Sequence, residues 1–141
     1  MLTVPDEAVE LCKRWEGVSL KAYVCPAGYW TIGYGHLCDK NHPPITMIEA
    51  YEYLQDDLRT ALAGTLIHCP SLANESSGRL GAIVDFTFNL GAGRLRASTL
   101  RRKINEGNWT AVPGELRKWV WGGGRRLPGL VARREAEVAL L

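Results

Sequence analysis

The apolar positions of this chain change period twice, and each change marks a boundary. Ala8, Leu11, Cys12 and Trp15 fall on one face at helical spacing. They follow Pro5-Asp6-Glu7, a first turn in which proline is tolerated and acids suit the helix dipole. The spacing predicts an N-terminal helix over residues 5–15, with Cys12 as a small core residue. From residue 18 the period falls to two. Val18, Leu20, Ala22 and Val24 alternate with other residues, Pro26-Ala27-Gly28 breaks the run, and Tyr29 to Tyr34 is aromatic and β-branched. That is the signature of a hairpin over residues 18–34. Gly33 and Gly35 fit tight bends or a close backbone approach.

Helical spacing then returns. Thr46 followed by Glu49 forms a capping box and predicts a long helix to about Ile67, with Ala50, Tyr53, Leu54, Leu58, Ala61 and Leu62 as one stripe. Leu80, Ile83, Val84, Thr87 and Phe88 predict a buried helix stopping at Gly91. Ser98 caps a short helix ending near Gly107. Asn108 starts another ending by Gly122, kinked or delayed by Pro113-Gly114. Gly122-Gly123-Gly124 reads as a mobile loop, Pro128 opens a last helix, and Trp119 and Trp121 read as core. The expected fold class is α+β, a small β-hairpin lobe on a mainly helical body.

Composition narrows the function. The 141 residues suffice for one domain with a real core. Net charge is only +2, yet residues 94–134 concentrate arginine and lysine while most acids lie in 1–62. Such a half suits a polyanionic partner, an anionic envelope surface included. No nucleic-acid-binding motif accompanies it, so no nucleic acid is expected. No apolar run approaches the roughly twenty residues that span a bilayer, and the start lacks a signal-peptide pattern. Synthesis in a cytosol is therefore expected, with most of Cys12, Cys25, Cys38 and Cys69 remaining thiols. His36-x-Cys38-x3-His42 with Cys69 fits no standard zinc spacing, so no metal and no cofactor are expected.

Glu16 stands where the first helix gives way to the hairpin, beside the apolar Trp15. Cys25 and Thr31 lie on the two arms of that hairpin. The three suit a general acid, a polarisable nucleophile or base, and a hydroxyl that holds water. Glycoside hydrolysis needs such a set.

Glu-x8-Cys-x5-Thr, Glu-Gly-x-x-Leu-x-Ala-Tyr from Glu16 and Gly-Tyr-Trp-Thr-Ile-Gly-Tyr-Gly-His from Gly28 resemble the phage-type lysozymes of glycoside hydrolase family 24. Ile45-Thr46, Glu49-Ala50, Leu54 and Asp57-Leu58 resemble that family's interlobe helix. Phe88-Asn89-Leu90-Gly91, Ser98-Thr99-Leu100, Asn105 to Asn108, Trp119, Pro128-Gly129-Leu130 and Arg133-Arg134-Glu135 follow its helical lobe in order. The resemblance implies one domain over 1–141. A β-lobe occupies about 16–45, an interlobe helix about 46–67, and a helical lobe about 70–141, joined by the helix at 5–15; the cleft lies between the lobes.

It also implies a muramidase that cuts the β-1,4 bond between N-acetylmuramic acid and N-acetylglucosamine in bacterial peptidoglycan. Glu16 matches the general acid, Cys25 the second catalytic position, where many members carry aspartate, and Thr31 the water-positioning threonine. Tyr23, Trp30, Asn89, Gly91 and Arg133 become substrate-binding candidates, and His36 with Asp57 a structural ion pair. Asn89 read alone is equally a helix C-cap, and Arg133 or Arg134 either pairs with Glu16 or belongs to a solvated basic face. The implied enzyme is a monomer that reaches the wall from the host cytoplasm after a holin permeabilises the membrane. Two other functions fit the residues: a cell-wall cysteine peptidase or amidase using Cys25 and His36, and a non-catalytic wall-binding module.

Overall fold

The computed structural model describes residues 2–141. Helix α1 (Asp6–Glu16) opens with acids in its first turn, closes with Lys13 and Arg14, and buries Ala8, Val9, Leu11 and Cys12. It ends at Glu16 because Gly17 takes a left-handed φ of 65°, which costs glycine nothing.

Strands β1 (Ser19–Val24), β2 (Trp30–Gly33) and β3 (His36–Leu37) form an antiparallel sheet in sequence order. Tyr23 pairs with Thr31 and Val24 with Trp30. The five residues from Cys25 to Tyr29 connect β1 to β2. Cys25 N–H donates to Tyr29 O at 2.9 Å, Gly28 N–H returns to Cys25 O at 2.8 Å, and Gly28 supplies the positive φ that this loop requires.

Helix α2 (Met47–His68) starts at the expected capping box, in which Glu49 N–H donates to Thr46 Oγ1 and Thr46 N–H to Glu49 Oε1, both at 3.1 Å. It packs on the sheet at one end and on α3 (Ser77–Leu90) along its length. Helix α3 is the centre of the larger lobe: every residue from Leu80 to Thr87 is buried. Burying side chains such as Leu54, Leu58, Ile83 and Phe86 stabilises the fold by about 1.5–3 kcal/mol each. The buried hydroxyls between α2 and α3 satisfy one another, Thr65 donating to Thr87 at 2.7 Å.

Around α3 lie α4 (Ala92–Arg96), α5 (Thr99–Asn105, capped by Ser98), α6 (Val112–Leu116), β4 (Trp121–Gly122), β5 (Arg125–Arg126) and α7 (Pro128–Val138). Several expectations fail here. The helix expected from Asn108 to Gly122 is a single turn at Val112–Leu116, because Pro113 can enter a helix only in its first turn. Gly122–Gly124 is a β4–β5 hairpin instead of a mobile loop. Gly123 and Gly124 both take positive φ, 58° and 76°, the two-residue turn that matches strand twist. Trp119 packs edge-on against Phe86 as core, but Trp121 is exposed. The 3-10 turn at Pro70–Asn74 and helix α4 were not anticipated.

Candidate active site

Glu16, the last residue of α1, is pinned from two sides. Gly35, in the turn between β2 and β3, comes so near that a Cβ there would lie 2.6 Å from Glu16 Oε1; its φ of +72° also favours glycine. On the other side Arg133 Nη1 donates to Glu16 Oε2 at 2.5 Å. Arg133, on α7, is only 4% exposed, so the solvated-face reading does not hold for it. A hollow of about 220 Å³ lined by Trp15, Leu127, Gly129, Leu130 and Arg133 opens beside this pair.

Behind the guanidinium lies a buried ionic net. Arg133 Nε and Nη2 donate to Asp85 Oδ2 and Oδ1 at 3.0 and 2.8 Å, a fork that holds the arginine in one plane. Cys12 Sγ donates to the same Asp85 Oδ1 at 3.2 Å. Burial, and then the charge of Asp85, push the Cys12 thiol far up, so it stays protonated as a donor. Burial works against the Asp85 carboxylate, but hydrogen bonds from Glu137 and Arg133 and the charge of Arg133 outweigh it and hold the carboxyl below its ordinary value. Burial first, and then its nearness to Asp85, raise Glu137 well above the usual carboxylate range. Arg134, fully buried, lies 2.8 Å from Glu137 Oε1, donates to Asn89 Oδ1 at 2.7 Å, and stacks over Phe86. Asn89 therefore lies inside α3 with its carbonyl committed to Arg134. The cap is Gly91, with φ 95° and its N–H on Thr87 O at 2.7 Å.

The second half of the site is the β1–β2 hairpin. Cys25 is half-buried at the turn. The backbone amide at Tyr29 chiefly, with the Thr31 hydroxyl and the amides at Ala27 and Gly28, outweighs burial and lowers its thiol below the ordinary value. No cation is needed; the turn does what a helix N-terminus does elsewhere. Thr31, 3% exposed, donates its hydroxyl proton to Tyr29 O at 3.0 Å, and its hydroxyl is one of the groups that lower the Cys25 thiol. Tyr23, opposite Thr31, has its phenol raised by burial and then by the charges of Glu16 and Cys25, so it lies near both.

Side chains alternate along a strand, so Trp30 projects from the other face of the sheet than Thr31 and Tyr23. His36 Nδ1 meets Asp57 Oδ2 at 2.8 Å, and the ring stacks on Tyr53 at 4.3 Å between centroids. This ties the sheet to α2 and leaves Cys25 without a histidine partner. Of His42, Nδ1 meets Pro43 O and Nε2 the Tyr53 hydroxyl. Asp85 and Glu137 were missed from sequence, and Arg134, expected on Glu16 or on a solvated face, is fully buried and bonds Asn89 and Glu137 instead. Asp85 alone gave a signal, as an acid on the apolar face of a buried helix.

The model of the family described as Phage lysozyme matches residues 13–137. The chain is 40% identical to the endolysin of Acyrthosiphon pisum secondary endosymbiont phage 1, over 97% of this chain and 96% of that protein. It is 37% identical to the SAR-endolysin of Bacteriophage PS119, over 86% and 73% of the two. Its fold superposes on the muramidase domain of SpmX from Asticaccaulis excentricus with a TM-score of 0.88 and 28% identity, covering 99% of this chain and 97% of that one. The chain belongs to the phage lysozyme family and is a glycoside hydrolase of the lysozyme type.

Proposed function

We propose that the protein hydrolyses the β-1,4 bond between N-acetylmuramic acid and N-acetylglucosamine in bacterial peptidoglycan, with Glu16, Cys25 and Thr31 as its catalytic groups. The observation that carries the reading is the hairpin, which sets the Cys25 thiol, lowered chiefly by the Tyr29 amide, at the turn beside the strand that carries the buried Thr31 hydroxyl. As Cys25 ionises, the Thr31 proton turns from Tyr29 O to the sulfur, and the threonine lone pairs are left to hold a water. Glu16 gives its proton to the leaving glycosidic oxygen, the water attacks the anomeric carbon, and the thiolate takes the water's proton. Tyr23, Asn89 through its free Nδ2, and the open backbone at Gly91 are offered to the sugar chain.

Release of the host is the biological role proposed, through action on the wall as a monomer once a holin has opened the membrane. Among the described residues no helix is long and apolar enough to cross a membrane.

Lysis of purified walls by wild type, Cys25→Ser and Cys25→Asp tests the reading. Cys25→Ser is expected to lose about 10²–10⁴-fold in rate, and Cys25→Asp to retain activity, because the position needs an ionisable group. The product should carry the inverted anomeric configuration. Retention would assign the sulfur to direct attack on carbon, and full activity of Cys25→Ser would remove Cys25 from the chemistry.

A further inference from the structure

We propose that Asp85 is the positioning residue for the catalytic acid: by occupying two donor groups of Arg133 it makes the guanidinium a fixed, charge-balanced arm whose remaining group holds Glu16. This rests on the reading of Glu16 as general acid. A general acid poses a conflict, because it must be held in place while keeping a proton to give. An unbalanced buried cation would solve the first need and spoil the second, since an opposite charge at hydrogen-bond distance draws the carboxyl toward its ionised form.

Asp85 resolves the conflict geometrically. Its carboxylate takes the Nε and Nη2 donors at 3.0 and 2.8 Å, leaving Nη1 as the one contact with Glu16. Its negative charge lies on the far side of the same guanidinium and offsets the positive charge that Glu16 meets. The groups facing this unit come from every neighbouring element: Cys12 on α1, Tyr23 and Cys25 on the hairpin, Arg134 and Glu137 on α7. Glu137 is held by Arg134, Oε2 accepting from Nη2 at 3.0 Å and Oε1 lying 2.8 Å from Nε, so the Arg134 charge faces Glu137. Asp85 is thus the ionised carboxylate that Arg133 meets inside the protein. It is 0% exposed, so solvent does not screen this balance.

The test compares Asp85→Asn with Asp85→Glu, each against wild type and Glu16→Gln on soluble wall fragments. Asp85→Asn keeps the shape and removes the balancing charge. It should lower kcat about tenfold with KM unchanged, and one limb of the pH–activity profile should move about one pH unit toward acid while the other stays. Asp85→Glu keeps the charge and displaces the arm by one methylene. It should lower kcat about tenfold with both limbs in place. A purely structural Asp85 would alter melting temperature and leave the limbs unmoved, which overturns the proposal. If Asp85→Asn does not fold, Asp85→Glu decides alone: wild-type kcat in that variant overturns it. Activity in Glu16→Gln would remove the acid assignment and this inference together. An inactive Glu16→Gln beside a wild-type profile in Asp85→Asn would sink this inference only.

Discussion

Glu16 and Cys25 come from regions built in opposite ways. Glu16 hangs on a net of buried ionic and hydrogen-bonding side chains drawn from α1, α3 and α7, whereas Cys25 sits on a surface turn and takes its character chiefly from main-chain amides. The difference teaches what each half tolerates. A group served chiefly by the backbone can be exchanged for another anion without rebuilding its neighbours, because main-chain amides accept any anion placed there. A group served by buried ions cannot, since removing one partner leaves another charge unpaired at a cost of about 3–5 kcal/mol.

The sharpest way to break this contrast is chemical. Iodoacetamide should abolish wild-type activity, at a rate that climbs with pH below the ordinary thiol range, because the turn amides favour the Cys25 thiolate. Cys38 is raised by burial, Cys69 is pushed up to about 11, and Cys12 is higher still, so they should react later. Cys25→Asp should be indifferent to the reagent. Peptide mapping that tied inactivation to Cys38 would overturn the account.

A smaller effect tests the other half. Gly35→Ala should cost about 1–2 kcal/mol for a left-handed alanine and lower activity more than tenfold, since the new Cβ collides with Glu16 Oε1. Gly17→Ala has a similar φ of +65° with nothing within 4 Å. It should show the stability loss while keeping activity per folded molecule, as read by thermal melts beside wall lysis. Equal activities in the two variants would detach Gly35 from the site.

The smallest expected change lies outside both regions. His36 and Asp57 are about one-third exposed, so solvent screens the pair. Asp57→Asn should cost about 0.5–1 kcal/mol at neutral pH and leave the cutting rate intact. Equal melting temperatures would show that the pair holds nothing.

The sequence made the short-range features legible. Thr46 and Glu49 announced the start of α2, because a capping box is complete within four residues. Glu16, Cys25 and Thr31 were visible as a set because one helix end and one hairpin carry them all. Elements too short to repeat a helical period were lost, as at the five residues Ala92–Arg96, and Gly123-Gly124 looked like slack although two positive-φ residues make a tight turn. The buried net was the deepest loss. Asp85 meets partners 73 and 48 positions away, and no periodicity records a pairing over such separations. The same holds for Arg134, which reads as a partner of Glu16 or a surface base until α7 is seen to insert it against Phe86.

Cys12 and Glu16 lie four residues apart, so one face of α1 presents both to Arg133 and Asp85. A single inserted or deleted residue between them would turn Glu16 through about 100° and carry it off the arginine, while Ala8 and Cys12 could keep their seats in the core. That short stretch of helix is a frame in the genetic sense. A substitution within that stretch leaves the spacing intact, whereas a change in its length does not.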